Sequence, residues 1–322
     1  FTIKEEITCG KENINMKKTF LFGLVFILLV GAVFALTMEQ GLKVTVLTGD
    51  INILSPMQDK IYDDRRIPVI ILFSGEVDTF KVSDNGGRFR TLCRHCEDFG
   101  FWSTRIMGFT EGFHELEFVA VFNEEKTVSQ KIFFFIDSKA PRILKTAPKR
   151  NSVTNGSDFL VKYTEQNLKE ILISWNPVVN LTDKCDESGE NVLCGFDLDL
   201  TAFNGQEIEY QVDITDIANH TTSSNPTKVL VDTTVPVLTV KAPIEDSVYG
   251  RRVPFNLSVS EKVDLEYSDN SGNFKTICIG CDSYGFERLR MKTFATGNHD
   301  IIIRATDKAG NSDSEAVSFS VA

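Results

Sequence analysis

The feature that most constrains this chain is that it repeats itself. Residues 83–101 read SDNGGRFRTLCRHCEDFGF and residues 268–286 read SDNSGNFKTICIGCDSYGF, a constant offset of 185 residues. The offset persists downstream, where Arg105 matches Arg290, Phe109 matches Phe294, Gly112 matches Gly297, His114 matches His299 and Ala120 matches Ala305. Upstream, SPMQDKIYDDRRIP (55–68) matches APIEDSVYGRRVP (242–254) with one residue inserted. A fixed period of this kind means one structural unit written more than once. Half of the period is close to the ~100 residues of an antiparallel sandwich domain, so a middle unit fits between the two copies. Its edges are marked by Asp137-Ser-Lys-Ala-Pro141 and by Asp232-Thr-Thr-Val-Pro236, each just after an apolar run. Proline fixes φ and cannot donate to a ladder, which suits a linker or strand entrance. The expected domains are therefore 43–137, 138–232 and 233–322.

Within each unit the hydrophobic period is two. Phe255, Leu257 and Val259 alternate with Asn256, Ser258 and Ser260, and Ile208, Tyr210, Val212 and Ile214 alternate with Glu209, Gln211 and Asp213. Alternation of this kind predicts half-buried strands. Turn signals fall between them at Asn85-Gly86-Gly87, Asn270-Ser271-Gly272, Asn204-Gly205 and Gly310-Asn311, which supply the positive-φ positions of tight connections. The segment Tyr163–Trp175 competes as a helix but reads as two strands across a turn at Gln166-Asn167. The fold class expected is all-β.

Short sandwich repeats joined by D-T/S-x-x-P, with a T-D-x-A-G-N turn near the end (Thr306-Asp307-Lys-Ala309-Gly-Asn311), resemble the immunoglobulin-like repeats of bacterial and archaeal surface proteins. The resemblance spans the chain after its N-terminal segment and implies three tandem immunoglobulin-like β-sandwich domains. Its motifs are structural, and no catalytic or ligand residues carry over. The antibody pattern is absent, because the cysteines do not sit on two facing strands with a tryptophan between them.

The N-terminal segment bears on where the protein goes. Met16 is followed by Lys17 and Lys18, then an apolar run from Phe20 to Leu36 with small residues at its end. This is the pattern of a secretory signal peptide over 16–35, with cleavage after Ala35. The run is short of the roughly 20 residues of a membrane-spanning helix, which leaves an N-terminal membrane anchor as the alternative. Residues 1–15 would displace the basic region from the N-terminus and are read as untranslated upstream sequence. The formal net charge is −11, which argues against a nucleic-acid partner, since phosphate tracking draws on a basic stripe. The chain contains 42% hydrophobic and 25% charged residues, as in ordinary globular protein and unlike a disordered chain.

Six cysteines remain after Met16, two per unit: Cys93/Cys96, Cys185/Cys194 and Cys278/Cys281. In a secreted protein that allotment reads as three local disulfides. An extended strand would hold the ends of C-x-x-C about 10 Å apart, beyond disulfide reach, so these tetrads are expected at turns. Rings of this size contribute roughly 2 to 3 kcal/mol each by chain entropy. A zinc site needs four ligands; one C-x-x-C per domain offers two, and His95 aligns with Gly280. Redox chemistry of the thioredoxin kind would want a βαβ unit. Both remain as alternatives to the disulfide.

Four sequons, at Asn155, Asn180, Asn219 and Asn256, are candidate glycan acceptors in a secreted chain, with Asn256 expected on the outward face of its strand. Asp183, Asp186 and Glu187, Asp197 and Asp199, and the T-D-x-A-N turns are candidate Ca²⁺ ligands, though none follows the EF-hand spacing. The alternation of Asp197 and Asp199 with Phe196, Leu198 and Leu200 places them on the solvated side of a strand. His114 and His299 recur at equivalent positions, which marks an architectural role. Of Trp102 and Trp175, Trp102 aligns with Glu287, so the repeat does not require an apolar side chain there, and Trp102 becomes the candidate binding aromatic.

No nucleophile-elbow or zinc-protease motif occurs. The expected function is a secreted or cell-surface structural or adhesive array, non-catalytic, with other surface proteins or glycans as partners and no cofactor beyond the candidate Ca²⁺. The alternatives are a carbohydrate- or protein-binding module region and an accessory region of a larger extracellular hydrolase. Ala322 falls where the repeat would place Asp137, so the sequence stops where another linker is expected. It reads as an array that ends there or as a fragment of a longer protein.

Overall fold

A computed structural model describes residues 50–122 and 126–322, together with the backbone of two antiparallel strands, Val33–Met38 and Leu42–Leu47. The expected signal peptide lies outside the described residues except for the backbone of 33–35. Among the described residues every regular element is a strand apart from one 3₁₀ turn at Thr201–Phe203, and no helix is long and apolar enough to cross a membrane. The described chain divides into two compact units, one ending at Ser138 and the other beginning at Lys139. The second contains two sandwiches with separate apolar cores.

The first sandwich is organised by one 19-residue strand, Arg66–Asp84. Its main sheet runs in the order Ile51–Ser55, Arg66–Asp84, Gly112–Phe122, Lys126–Ile136, Lys60–Tyr62, with the last pair parallel. The order in the third sandwich is the same: Leu238–Ala242, Arg252–Asp269, Gly297–Thr306, Ser312–Val321, Ser247–Tyr249. Each long strand serves both layers, because it changes partners along its length. Arg66–Val69 pairs with Arg105–Gly108, while Thr79–Asp84 pairs with Gly112–Phe122. Its inward side chains, among them Val69, Ile71, Phe80 and Val82, are fully or almost fully buried, as period-two alternation against a covered face requires.

The middle sandwich splits what the outer ones keep continuous. Phe159–Glu165 and Leu168–Ser174 belong to two different sheets, divided at Gln166-Asn167 as the turn signal predicts. One sheet holds Arg142–Ala147, Phe159–Glu165 and Gly189–Phe196. The other holds Val153–Thr154, Thr227–Val231, Glu207–Asp216, Leu168–Ser174 and Val178–Asn180. This is the immunoglobulin-like layering of two facing sheets. Trp175 is buried with the core between them, its indole nitrogen without a hydrogen-bond partner.

Two sequence expectations change here. The C-x-x-C tetrads do not sit at chain-reversing turns; each lies inside a continuous ten-residue strand, Arg90–Phe99 or Lys275–Tyr284. Asp197 and Asp199 lie beyond the strand that ends at Phe196. Their alternation with buried Leu198 and Leu200 survives in an irregular segment, where Asp199 accepts hydrogen bonds from the Thr201 backbone and hydroxyl.

Candidate functional site

The cysteine strand is explained by its pairing with the long strand. Its first part pairs with the second half of the long strand, through Cys96 opposite Val77, and its last residues, Asp98 and Phe99, pair with Leu72 and Ile71 in the first half. The third sandwich repeats this, with Cys281 opposite Val263 and then Ser283 and Tyr284 opposite Ser258 and Leu257. The C-x-x-C therefore lies just before the place where its strand passes from one half of the long strand to the other. Inside each tetrad one residue is left-handed, His95 (φ 49°) in one copy and Gly280 (φ 62°) in the other. That kink draws the cysteine Cα atoms to 6.3 Å in both copies, within the reach of a disulfide. Cys185 and Cys194 are joined at a Cα separation of 5.6 Å, buried in the middle core. His95 is exposed and 3.6 Å from Glu76.

Immediately after the cysteine strand comes the segment that carries Trp102. Gly100 has φ 83°, and a Cβ there would lie 2.0 Å from the Val69 carbonyl oxygen; at Gly285, φ 81°, it would lie 1.9 Å from that of Phe255. Only glycine lets the backbone approach so closely. The loop is thus pressed onto the long strand at its root, and the Asp98 carboxylate accepts from the Phe101 N–H at 3.1 Å. Beyond the root, Trp102 projects with 85% of its surface exposed and touches only Phe101 edge-on at 5.0 Å among aromatic rings. The equivalent loop of the third sandwich exposes Phe286 (60%) and Leu289 (66%). Sequence comparison missed these two, because Trp102 aligns with Glu287 and the apolar role has moved to neighbouring positions.

The recurring histidines are buried. His114 and His299 are 2% and 6% exposed. Nδ1 of His299 lies 2.9 and 3.0 Å from the Asp269 carboxylate oxygens and Nε2 lies 2.9 Å from the Ala295 carbonyl. His114 holds Asp84 and the Thr110 carbonyl in the same way. These pairs tie the end of the long strand to the start of Gly112–Phe122 or Gly297–Thr306, an architectural arrangement.

Of the acidic residues, the described structure brings three together: Asp232, Glu261 and Asp307, whose carboxylate oxygens lie within 4.8 Å of one another. Asp232 ends the middle sandwich and the other two belong to the third. Asn311 bridges them, its Nδ2 donating to the Asp232 carbonyl and to Asp307 Oδ2, both at 2.8 Å. Burial, with the charges of Asp232 and Asp307, pushes the Glu261 carboxyl above its ordinary value. Counted at one oxygen each, as they converge here, three carboxylates supply half or fewer of the six to eight oxygens that Ca²⁺ takes. Of the acids named from sequence, the turn acid Asp307 joins this group; near Asp186 and Glu187 the structure places the Tyr163 phenol, which donates to the Glu187 carbonyl at 2.6 Å. Burial, with the charges of those two acids, pushes that phenol up to about 12.

The sequons divide. Asn180 and Asn219 are exposed. Asn155 is half-buried, its Oδ1 accepting from the Ser157 N–H and hydroxyl. Asn256 lies between buried Phe255 and Leu257 and is itself half-buried, as its place in the alternation predicts, with its Oδ1 covered and without a hydrogen-bond partner.

No protein-family profile matches this chain, and no curated protein does. Among solved structures it is similar to the chicken CNTN1 FN1-FN3 domains, at 11% identity and TM-score 0.37 over 85% of this chain and 98% of that one. It is similar to the fibronectin(III)-like modules of Clostridium thermocellum CbhA, at 13% identity and TM-score 0.34, covering 56% and 93%. A third is the Bacteroides ovatus mixed-linkage glucan utilization locus SGBP-B in complex with a mixed-linkage heptasaccharide, at 12% identity and TM-score 0.23, covering 86% and 71%. The structures named include fibronectin-III modules, and the chain itself is an all-β array of sandwiches.

Proposed function

We propose that this chain is a secreted or cell-surface, non-catalytic array that holds binding loops on rigid sandwiches, with surface proteins or glycans as partners. The observation that carries this reading is Trp102. A tryptophan with 85% of its surface in water, on a loop rooted by Gly100, gives up the burial that would stabilise it, and aromatic rings held in this way serve as contact anchors. The signal-like segment 16–35 and the three cysteine pairs support an extracellular location. Asn180 and Asn219 are the sequons open to a glycan.

The test uses the full chain and its Trp102→Ala variant, with tryptophan fluorescence and pull-down on insoluble cellulose, chitin and the cell walls of the producing organism. Binding by the parent that is lost in the variant, at unchanged melting temperature, supports a loop-borne contact. Equal retention of both proteins would overturn the role of Trp102.

A further inference from the structure

The outer sandwiches are one fold written twice, so a position that changes chemical class between them marks a property that one copy has acquired. Three such positions meet. In the first sandwich Val82, Phe99 and Met107 are buried members of the apolar core. Their counterparts 185 residues on are Tyr267, Tyr284 and Lys292. The Lys292 ammonium stands 5.6 Å from the centroid of each of the two tyrosine rings. Two further cations share the platform: Lys275, 5.8 Å from the Tyr267 ring, and Arg290, 6.0 Å from the Tyr284 ring.

None of these three cations takes part in an ion pair among the described residues, whose Lys and Arg bridges lie elsewhere. Asp269, the acid whose charge acts on Tyr267, is engaged by His299. Burial alone holds the Lys292 amine below the ordinary lysine range. Placing an ammonium where the sister domain keeps a methionine costs desolvation energy. Contacts with two aromatic rings at a partly exposed site return only part of it. Three convergent cations without a counter-charge, with two phenol groups beside them, form a set of donors lacking an acceptor.

We propose that Lys275, Arg290 and Lys292, set over Tyr267 and Tyr284, bind an anionic group, the carboxylate or sulfate of an acidic polysaccharide. The chain's net charge of −11 opposes a continuous phosphate backbone but not a single anionic group met locally. Phe286 and Leu289, exposed in the segment between Tyr284 and Arg290, offer apolar surface for the C–H face of the sugar. The site is in a different sandwich from Trp102 and shares no residue with that loop, so either can fail without the other.

The experiment is titration calorimetry of the full chain with polygalacturonate and with dextran sulfate, neutral dextran serving as control. The parent protein is expected to bind at least one polyanion and not dextran, and the one that binds identifies the anion. Lys292→Met, which restores the residue of the first sandwich, is expected to weaken binding at least tenfold while raising the melting temperature; Lys292→Arg should retain binding. An independent readout needs no substitution: an anionic acylating reagent should label Lys292 ahead of exposed lysines, and the bound polyanion should protect it. Failure of the parent to bind either polyanion, undiminished binding by Lys292→Met, or labelling unaffected by polyanion would each overturn the proposal.

Discussion

His299 donates from one ring nitrogen to Asp269, 2.9 Å away, and faces the Ala295 carbonyl with the other at 2.9 Å. A carboxylate and a carbonyl can only accept, so a ring that satisfies both has both nitrogens protonated. Burial disfavours that charged ring. The bonds to Ala295 and Asp269 and the charges of Asp269 and Asp300 outweigh the burial and raise its pKa above the ordinary histidine value.

A group whose folded pKa is raised contributes stability that is complete below its unfolded pKa and is lost as pH rises through the folded one. The third sandwich is therefore expected to melt at a lower temperature at pH 9 than at pH 6. His299→Gln should lower stability at pH 6 and flatten the dependence across that window. Differential scanning calorimetry at the two pH values checks this, and an unchanged slope in the variant would refute it.

Gly285→Ala places a Cβ 1.9 Å from the Phe255 carbonyl oxygen at φ 81°. A left-handed residue that must also displace backbone is expected to cost on the order of 2–3 kcal/mol. Gly86→Ala, with nothing within 4 Å of its Cβ, should cost only about 1 kcal/mol from the left-handed backbone. Urea unfolding of the two variants reads the difference directly.

The cysteine pairs differ in what they enclose. Cys185–Cys194 closes a ring of ten residues inside the middle core, whereas Cys93–Cys96 and Cys278–Cys281 each close four. Replacing Cys185 and Cys194 by alanine should cost about 3 kcal/mol, and replacing a tetrad pair about 2 kcal/mol. Intact mass before and after reduction with alkylation tests the pairing itself: six thiols should become reactive only after reduction of the chain beyond Met16.

Glu261→Gln removes one of three like charges. Because the Glu261 carboxyl is raised, the folded state binds its proton more readily than the unfolded state does, so its unfavourable contribution fades as pH falls through the folded value. The variant should melt higher than the parent at pH 7, and the gap should close toward pH 4. A melting temperature equal to or below the parent's at pH 7 would show that Glu261 is held by a favourable partner, and a chelator would then separate a bound cation from a hydrogen bond.

Much of the architecture was legible because its signals are local. Alternation such as Phe255-Asn-Leu-Ser-Val259 states which side chains face a core, Asn167 states where the middle sandwich divides its sheets, and the offset of 185 states that the outer two share a fold. The exposure of Trp102 was also approachable, through its mismatch with Glu287. The geometry of the C-x-x-C tetrads was not, because a strand that passes from one half of its partner to the other has the same sequence signature as one that keeps a single register.

What the sequence by itself determined is the repeat, seen by comparing the chain with itself, and the strand class, a property of neighbours along the chain. Only the tertiary structure decided that Asp232, Glu261 and Asp307 converge, that Asn256 buries its amide oxygen, and that Lys292 stands over two tyrosines. The physical reason is range: period-two burial is written within a strand, whereas a cluster assembled from residues tens of positions apart exists only after long-range pairing has set the register of every strand between them.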